Sequence, residues 1–140
     1  MMTSLKSYNK KEQDLNLTKN QKIVLNLLQN SSEPLKAYSI LDSLKTEGLK
    51  SPLQIYRALD KLEKLGKIHK IESKNSFIAC SNSNCARNTA FTICESCGNV
   101  KELKNNYLSD GVNELVKKNK MSITRYNLEF YVLCKNCKTN

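Results

Sequence analysis

An α+β fold in two small units is what this sequence predicts, and three observations carry the expectation. The first half holds three amphipathic segments with helix start and stop residues, followed by two short alternating segments. All six cysteines fall after residue 79. Four of them form two C-x2-C pairs that enclose a strand–helix–strand pattern. With 140 residues, the chain has room for one ordinary domain or two small ones, and too little for a large multidomain enzyme. A hydrophobic share of 39% is enough for a modest core and too high for a wholly disordered chain.

Charge and cysteine usage narrow the function classes. Lys and Arg number 23 against 13 Asp and Glu, a formal net charge of +10. Residues 1–74 carry 14 bases and 8 acids, and residues 75–140 carry 9 and 5, so both halves are basic and no charged tail is involved. No apolar run approaches the roughly 20 residues of a membrane helix, so no membrane partner is expected. Met1 to Lys11 lacks the apolar core of a secretory signal, and a cytoplasmic location is expected. In that reducing compartment six cysteines point to metal or redox chemistry rather than to a disulfide scaffold.

The first helix is expected to start at Thr18, whose spacing to Gln21 makes a capping box, and to end near Asn30. Its apolar stripe is Ile23, Val24, Leu27 and Leu28. Ser31-Ser32-Glu33-Pro34 breaks the chain. A second helix is expected from about Lys36 to Glu47, with Ile40, Leu41 and Leu44 inward and Gly48 as its stop. Ser51-Pro52 opens the third, where Ser caps, Pro fits the first helical position and Gln54 closes a second box. Ile55, Ala58, Leu59, Leu62 and Leu65 form its inner face, and Gly66 ends it. Two strands follow, Ile68 to Ile71 and Phe77 to Cys80, around a Lys74-Asn75 turn. Three helices and a β-hairpin is the order of a winged helix-turn-helix, whose third helix enters the major groove.

The outer face of that third helix carries Gln54, Tyr56, Arg57, Lys61 and Lys64. A solvated charged face is the ordinary meaning of such a pattern. Here, however, one of only three arginines stands beside a tyrosine in the first turns of the helix. Arg57 can pair bidentately with guanine, and Tyr56 can meet a phosphate or a thymine methyl. Lys19, Lys22, Lys61 and Lys64 are candidate phosphate contacts, and Tyr38 is a further backbone contact. Double-stranded DNA is the partner these residues imply, with no small-molecule substrate.

In the second half, Cys94-Glu95-Ser96-Cys97-Gly98 and Cys134-Lys135-Asn136-Cys137 each let two thiolates meet one ion. Together they complete a tetrahedral four-cysteine zinc site. The 36 residues between the pairs hold a strand near Val100 to Leu103, a helix near Tyr107 to Lys118 and a strand near Ile123 to Leu133. With Ala90 to Ile93 added, the half reads β-β-α-β. A redox dithiol would need only one such pair and a thioredoxin-like context, which is missing. His69, Cys80, Cys85 and Glu102 lie around the polar stretch between the halves, where one ion could tie them together. Taken singly, a lone His on a wing is usually polar surface, and a Cys ending a strand is usually a small core residue. No open zinc site with a histidine pair and general base is visible, nor a Gly-rich phosphate loop, so an enzyme is not expected.

Taken together, the chain resembles the ferric uptake regulator family of bacterial metalloregulators. The likeness runs from Leu17 to Cys137. It is carried by Leu17-Thr18 with Gln21, Ala37-Tyr38, Ile55-Tyr56-Arg57-Ala58-Leu59, Gly66 with Ile68-His69-Lys70, and Ile93-Cys94-Glu95-Ser96-Cys97-Gly98 with Cys134 and Cys137. His69-Lys70-Ile71-Glu72-Ser73, followed by Ser76-Phe77-Ile78-Ala79-Cys80, is most similar to the zinc-sensing branch. The resemblance implies a winged-helix DNA-binding domain over 1–80, a hinge over 81–88, and a dimerisation and metal-binding domain over 89–140. It implies a homodimeric repressor of zinc-uptake genes that binds operators when loaded with two zinc ions per chain. One ion is structural, on Cys94, Cys97, Cys134 and Cys137, and one is regulatory, with His69, Cys80 and Glu102 at matching positions.

One position departs from that branch. Where a second histidine is usual, this chain has Arg87, whose guanidinium stays protonated and cannot ligate zinc. Cys85 can supply the fourth ligand, and Glu72 or water are weaker substitutes. Two thiolates, one imidazole and one carboxylate suit tetrahedral zinc and suit six-coordinate iron poorly. Two alternatives stand beside the zinc sensor: a family member sensing iron, and a thiol redox switch using Cys80 and Cys85.

Overall fold

The computed structural model describes residues 16–80, 88–103 and 106–138. The chain divides into two compact units, Met1–Cys85 and Ala86–Asn140. The first unit contains α1 (Lys19–Gln29), α2 (Ala37–Leu44), α3 (Pro52–Lys64), β1 (Ile68–Ile71) and β2 (Ser76–Ala79). The second contains β3 (Asn88–Cys94), β4 (Val100–Glu102), α4 (Asn106–Lys118), β5 (Tyr126–Val132) and the short α5 (Lys135–Lys138). No helix among the described residues is long and apolar enough to cross a membrane.

Both expected capping boxes form. The Gln21 N–H donates to Thr18 Oγ1 at 3.2 Å, and the Thr18 N–H donates to Gln21 Oε1 at 3.0 Å. At α3 the Gln54 N–H donates to Ser51 Oγ at 3.3 Å, while Gln54 Oε1 accepts from the backbones of Lys50 and Ser51. Each box satisfies N–H groups that the first helical turn would otherwise leave open. The second helix is shorter than its apolar pattern suggests: it turns into a 3-10 segment at Lys45–Glu47 before Gly48, at φ +93°, ends it. That tighter turn swings Leu49, a residue outside the expected stripe, fully into the core.

The core of the first unit joins Val24, Leu25 and Leu28 of α1, Ile40 and Leu44 of α2, and Ile55, Ala58, Leu59 and Leu62 of α3 to Ile68 and Phe77 of the hairpin. The expected inner stripes face it, although Ile23, Leu27, Leu41 and Leu65 sit only partly buried at its rim. In the wing, β1 and β2 pair antiparallel with His69 opposite Ile78, and Asn75 makes the turn at φ +46°. Leu35 adds a third edge, exchanging bonds of 2.9 and 2.8 Å with Phe77. The connection between α1 and α2 is thereby pinned to the wing. Cys80 lies just past β2, its N–H donating to the Lys67 carbonyl at 2.9 Å.

The second unit is a three-stranded sheet in the order β4-β3-β5. β3 and β4 pair antiparallel, with Phe91 opposite Glu102. β3 and β5 are parallel from Asn88 opposite Tyr126 to Cys94 opposite Val132. A parallel pair needs a long return, and α4 supplies it. Thr89 Oγ1 donates to Asn127 Oδ1 at 3.0 Å, which locks this register from the side chains. The β-β-α-β order matches expectation; β3 runs longer than Ala90 to Ile93, and β5 is shorter than Ile123 to Leu133.

Because Ser51 satisfies the Gln54 N–H at the start of α3, Ser51→Ala should lower the stability of the first unit by about 1 kcal/mol. Ser51→Gly should cost only a few tenths. Urea unfolding followed by circular dichroism measures both.

Candidate metal centre and nucleic-acid face

The parallel pairing of β3 with β5 builds the candidate metal centre. Parallel strands end on the same edge of a sheet, so the residues that follow both ends meet there. Cys94 is the last residue of β3 and Cys134 follows β5 by two residues. The Glu95 N–H donates to the Val132 carbonyl at 2.9 Å and ties the two exits together. Gly98, at φ +78°, closes the first turn by donating to the Cys94 carbonyl at 2.9 Å. In the second, the Cys137 and Lys138 N–H groups return to the Cys134 carbonyl at 3.0 and 2.8 Å, forming α5. That short helix was not anticipated; the C-x2-C spacing is its only sequence signal.

The four sulfurs of Cys94, Cys97, Cys134 and Cys137 lie within 4.8 Å of one another. Cys97 Sγ and Cys134 Sγ are 3.7 Å apart. A tetrahedron with Zn–S bonds of about 2.3 Å has edges of about 3.8 Å, so this separation fits a zinc ion. Electrostatics asks for one as well. The N–H of Cys97, then that of Cys134 at 3.4 Å, point at Cys94 Sγ and lower its pKa to about 6. Cys134 is lowered too, first by the N–H of Cys137. Cys137 goes the other way: a hydrogen bond from Ser96 favours its thiolate, but contacts with the sulfurs of Cys134 and Cys94 favour its proton and push it up to about 12. The protein alone therefore stabilises some of the thiolates and holds back another. A divalent cation bound among the four sulfurs would supply the missing charge.

The other proposed metal residues are distributed over both units. His69 lies on β1 at 7% exposure, and its Nε2 is buried with no hydrogen bond to a described residue, though the residue is engaged elsewhere. By register, Cys80 is its diagonal neighbour across the hairpin, on the same face. Cys80 is disulfide-bonded. Glu102 ends β4 in the second unit. Glu72 stands beside the wing turn, 3.5 Å from Lys70 Nζ. Cys85 and Arg87 lie outside the described residues.

On α3 the outer residues stand free of the core as expected: Tyr56, Arg57, Lys61 and Lys64 are exposed. Lys64 Nζ is 3.0 Å from Asp60, an exposed pair one turn apart on the helix. Tyr38 on α2 and Lys19 and Lys22 on α1 are exposed as well. Gln54 differs: its carboxamide oxygen serves the cap of α3, so its first role is to hold the helix start. Leu53 was missed by the sequence pattern, although it is exposed on this face. Its signal was there: it stands two positions before Ile55, off the apolar stripe.

The sequence matches the profile of the ferric uptake regulator family over residues 12–131. The chain belongs to the ferric uptake regulator family. Within that family, it is 33% identical over 128 residues to the zinc uptake regulation protein of Escherichia coli (strain K12), covering 90% of this chain and 75% of that protein. A zinc uptake regulator solved in complex with zinc and DNA superposes with a TM-score of 0.82 at 30% identity, over 98% of this chain and 95% of that one. Holo XcZur superposes with a TM-score of 0.79 at 32% identity, over 89% and 87%.

The raised Cys137 pKa has a measurable consequence. With a pKa of about 12 in the metal-free chain, Cys137 is protonated near neutrality, and metal loading must expel that proton. Zinc binding at pH 8 should release at least one proton per chain, and affinity should rise with pH because protons compete for the sulfurs. Calorimetry in buffers of different ionisation enthalpy measures the release.

Proposed function

We propose that this protein is a zinc-responsive transcriptional repressor that binds operator DNA as a metal-loaded homodimer and controls zinc-uptake genes. One observation carries the proposal above the others: nearly the whole chain matches a regulator solved with zinc and DNA. The thiol-rich donor set and the single histidine of the chain support zinc over iron. The proposal contains no catalytic step and no small-molecule substrate, and places the protein in the cytoplasm.

In this reading the residues divide into three tasks. Cys94, Cys97, Cys134 and Cys137 would hold a structural zinc, whose contribution is to join the ends of β3 and β5 in the dimerisation unit. Residues 1–80 are the DNA-binding domain, 81–88 the hinge and 89–140 the dimerisation domain. His69, Cys80 and Glu102, with Cys85, would hold a regulatory zinc, giving two ions per chain. This set draws ligands from both units, so loading would favour arrangements that bring the ligands together, and the switch is as large as that preference. Cys80 must be a free thiol to take part, so metal tests belong in the presence of a thiol reductant. Arg57 and Tyr56 would read bases, and Lys19, Lys22, Lys61 and Lys64, with Tyr38, would contact the DNA backbone.

Metal content tests the first two tasks. Purified protein should hold one zinc per chain through mild chelation and one that exchanges, counted by elemental analysis. Cys94→Ser should lose the tight ion and the dimer together. His69→Ala and Cys80→Ser should remain dimeric but lose zinc-dependent DNA binding. Cys85→Ser should do the same if Cys85 replaces the usual histidine; an unchanged ion count would move the fourth ligand elsewhere.

Two variants of α3 separate base reading from phosphate contact. Arg57→Ala should lose about 1–3 kcal/mol on a specific duplex and discriminate less at one base pair. Lys64→Ala should weaken specific and scrambled duplexes alike and reduce the salt dependence by about one ion. Titrations at several salt concentrations measure both.

A further inference from the structure

Leu53 occupies the centre of the outer face of α3, away from the core. Ile55, Ala58, Leu59 and Leu62 are the buried residues of this helix, and Leu53 lies on the side away from them. Tyr56 and Arg57 follow it by three and four positions, so all three share one surface patch. Leu53 is 57% exposed and Tyr56 55%. Among the described residues of the first unit, the large apolar side chains that stand exposed are Tyr38 at 70%, Leu53 and Tyr56. Tyr38 and Leu53 are each the second residue of their helices, α2 and α3. Exposed Lys50, Arg57 and Lys61 lie on the same helix or at its start, with Lys64 paired to Asp60 beside them, and the whole chain carries +10. An apolar centre with a basic surround is complementary to a DNA groove, whose phosphates flank base edges. It does not suit an apolar protein surface, which would leave those charges unpaired.

The chemistry of leucine then selects the base. It has no hydrogen-bonding atom, so neither phosphates nor the donors and acceptors of base edges can engage it. The one apolar group that a standard base pair shows in the major groove is the 5-methyl of thymine. The Ser51–Gln54 box fixes the backbone on either side of Leu53, which gives its side chain a defined starting point.

We propose that Leu53 is a specificity residue that reads thymine through its 5-methyl group, beside the bases met by Tyr56 and Arg57. This rests on the DNA-reading role proposed above for α3 and adds a contact that role did not contain.

Deoxyuridine provides the test, since it pairs as thymidine does and lacks only the methyl. The probe is the tightest duplex that the zinc-loaded full chain recovers from a random-sequence pool, remade with deoxyuridine at each thymidine in turn. The unsubstituted protein is expected to lose about fourfold in affinity at one thymine or more, the effect of withdrawing one methyl-sized group from a buried contact. Leu53→Ala is expected to lose about fourfold on the thymine duplex and to bind thymine and uracil equally at that position. Leu53→Met, which restores an apolar side chain, is expected to recover the discrimination, whereas Tyr56→Ala is expected to retain it there. All of these side chains are exposed, so equal melting temperatures are expected. Leu53→Ala that keeps the full thymine-to-uracil ratio at every position overturns the proposal and leaves DNA reading by α3 intact. A pool that shows no enrichment overturns both.

Discussion

Four cysteine sulfurs within 4.8 Å of one another cannot all be ionised unless a cation sits among them, and the second unit is built around that constraint. Among the described residues its buried ones are few: Ala90, Phe91, Ile93 and Cys94, with Thr89, all on β3. Most of β5 and α4 is only half-buried or exposed. So small a core gives limited hydrophobic stabilisation, and a tetrathiolate ion is the usual supplement in units of this size. The parallel β3–β5 pair makes the arrangement possible, because it delivers the two C-x2-C turns to one edge of the sheet. Without that pairing, cysteine pairs with 36 residues between them have no reason to meet.

The first unit follows a different rule. Its helices are closed by caps and packed on a continuous apolar core, so no ion is needed to hold it. What the core leaves outside is the useful part. Tyr38, Leu53, Tyr56 and Arg57 stand on the first turns of α2 and α3, and the Ser51 box ties the start of α3 in place. A reading surface needs side chains whose backbones do not move when DNA arrives. The cap at Ser51 and the buried row from Ile55 to Leu62 provide that.

Local signals were readable from the amino-acid order, and long-range ones were not. Thr18 with Gln21 and Ser51 with Gln54 announced two helix starts, because a cap depends only on residues three apart. Each C-x2-C spacing announced a pair of neighbouring thiols for the same reason, whereas their meeting at one site depends on the β3–β5 pairing. The 3-10 turn that buries Leu49 and the meeting of Leu35 with Phe77 depend on packing between elements, and no periodicity reports that. The dual use of Gln54 was half visible: its spacing named the cap, and its outward position named a DNA contact. The structure assigns its oxygen to the cap. For the proposed regulatory ligands, sequence placed His69 and Cys80 on one hairpin, and the register puts them diagonally on one face. The proposed fourth ligand is Cys85, with Glu72 or water as the weaker substitutes, because Arg87 stands where a histidine donor is usual.

Zinc control of DNA binding is the central claim, and affinity measured across a range of buffered free zinc tests it most directly. The protein, kept reduced and retaining one tight ion per chain, is titrated against its selected duplex and against a scrambled one. The account predicts that binding to the selected duplex rises steeply as the second ion loads, while binding to the scrambled duplex stays weak. Affinity that is independent of free zinc, or that rises only with ferrous iron, would contradict it.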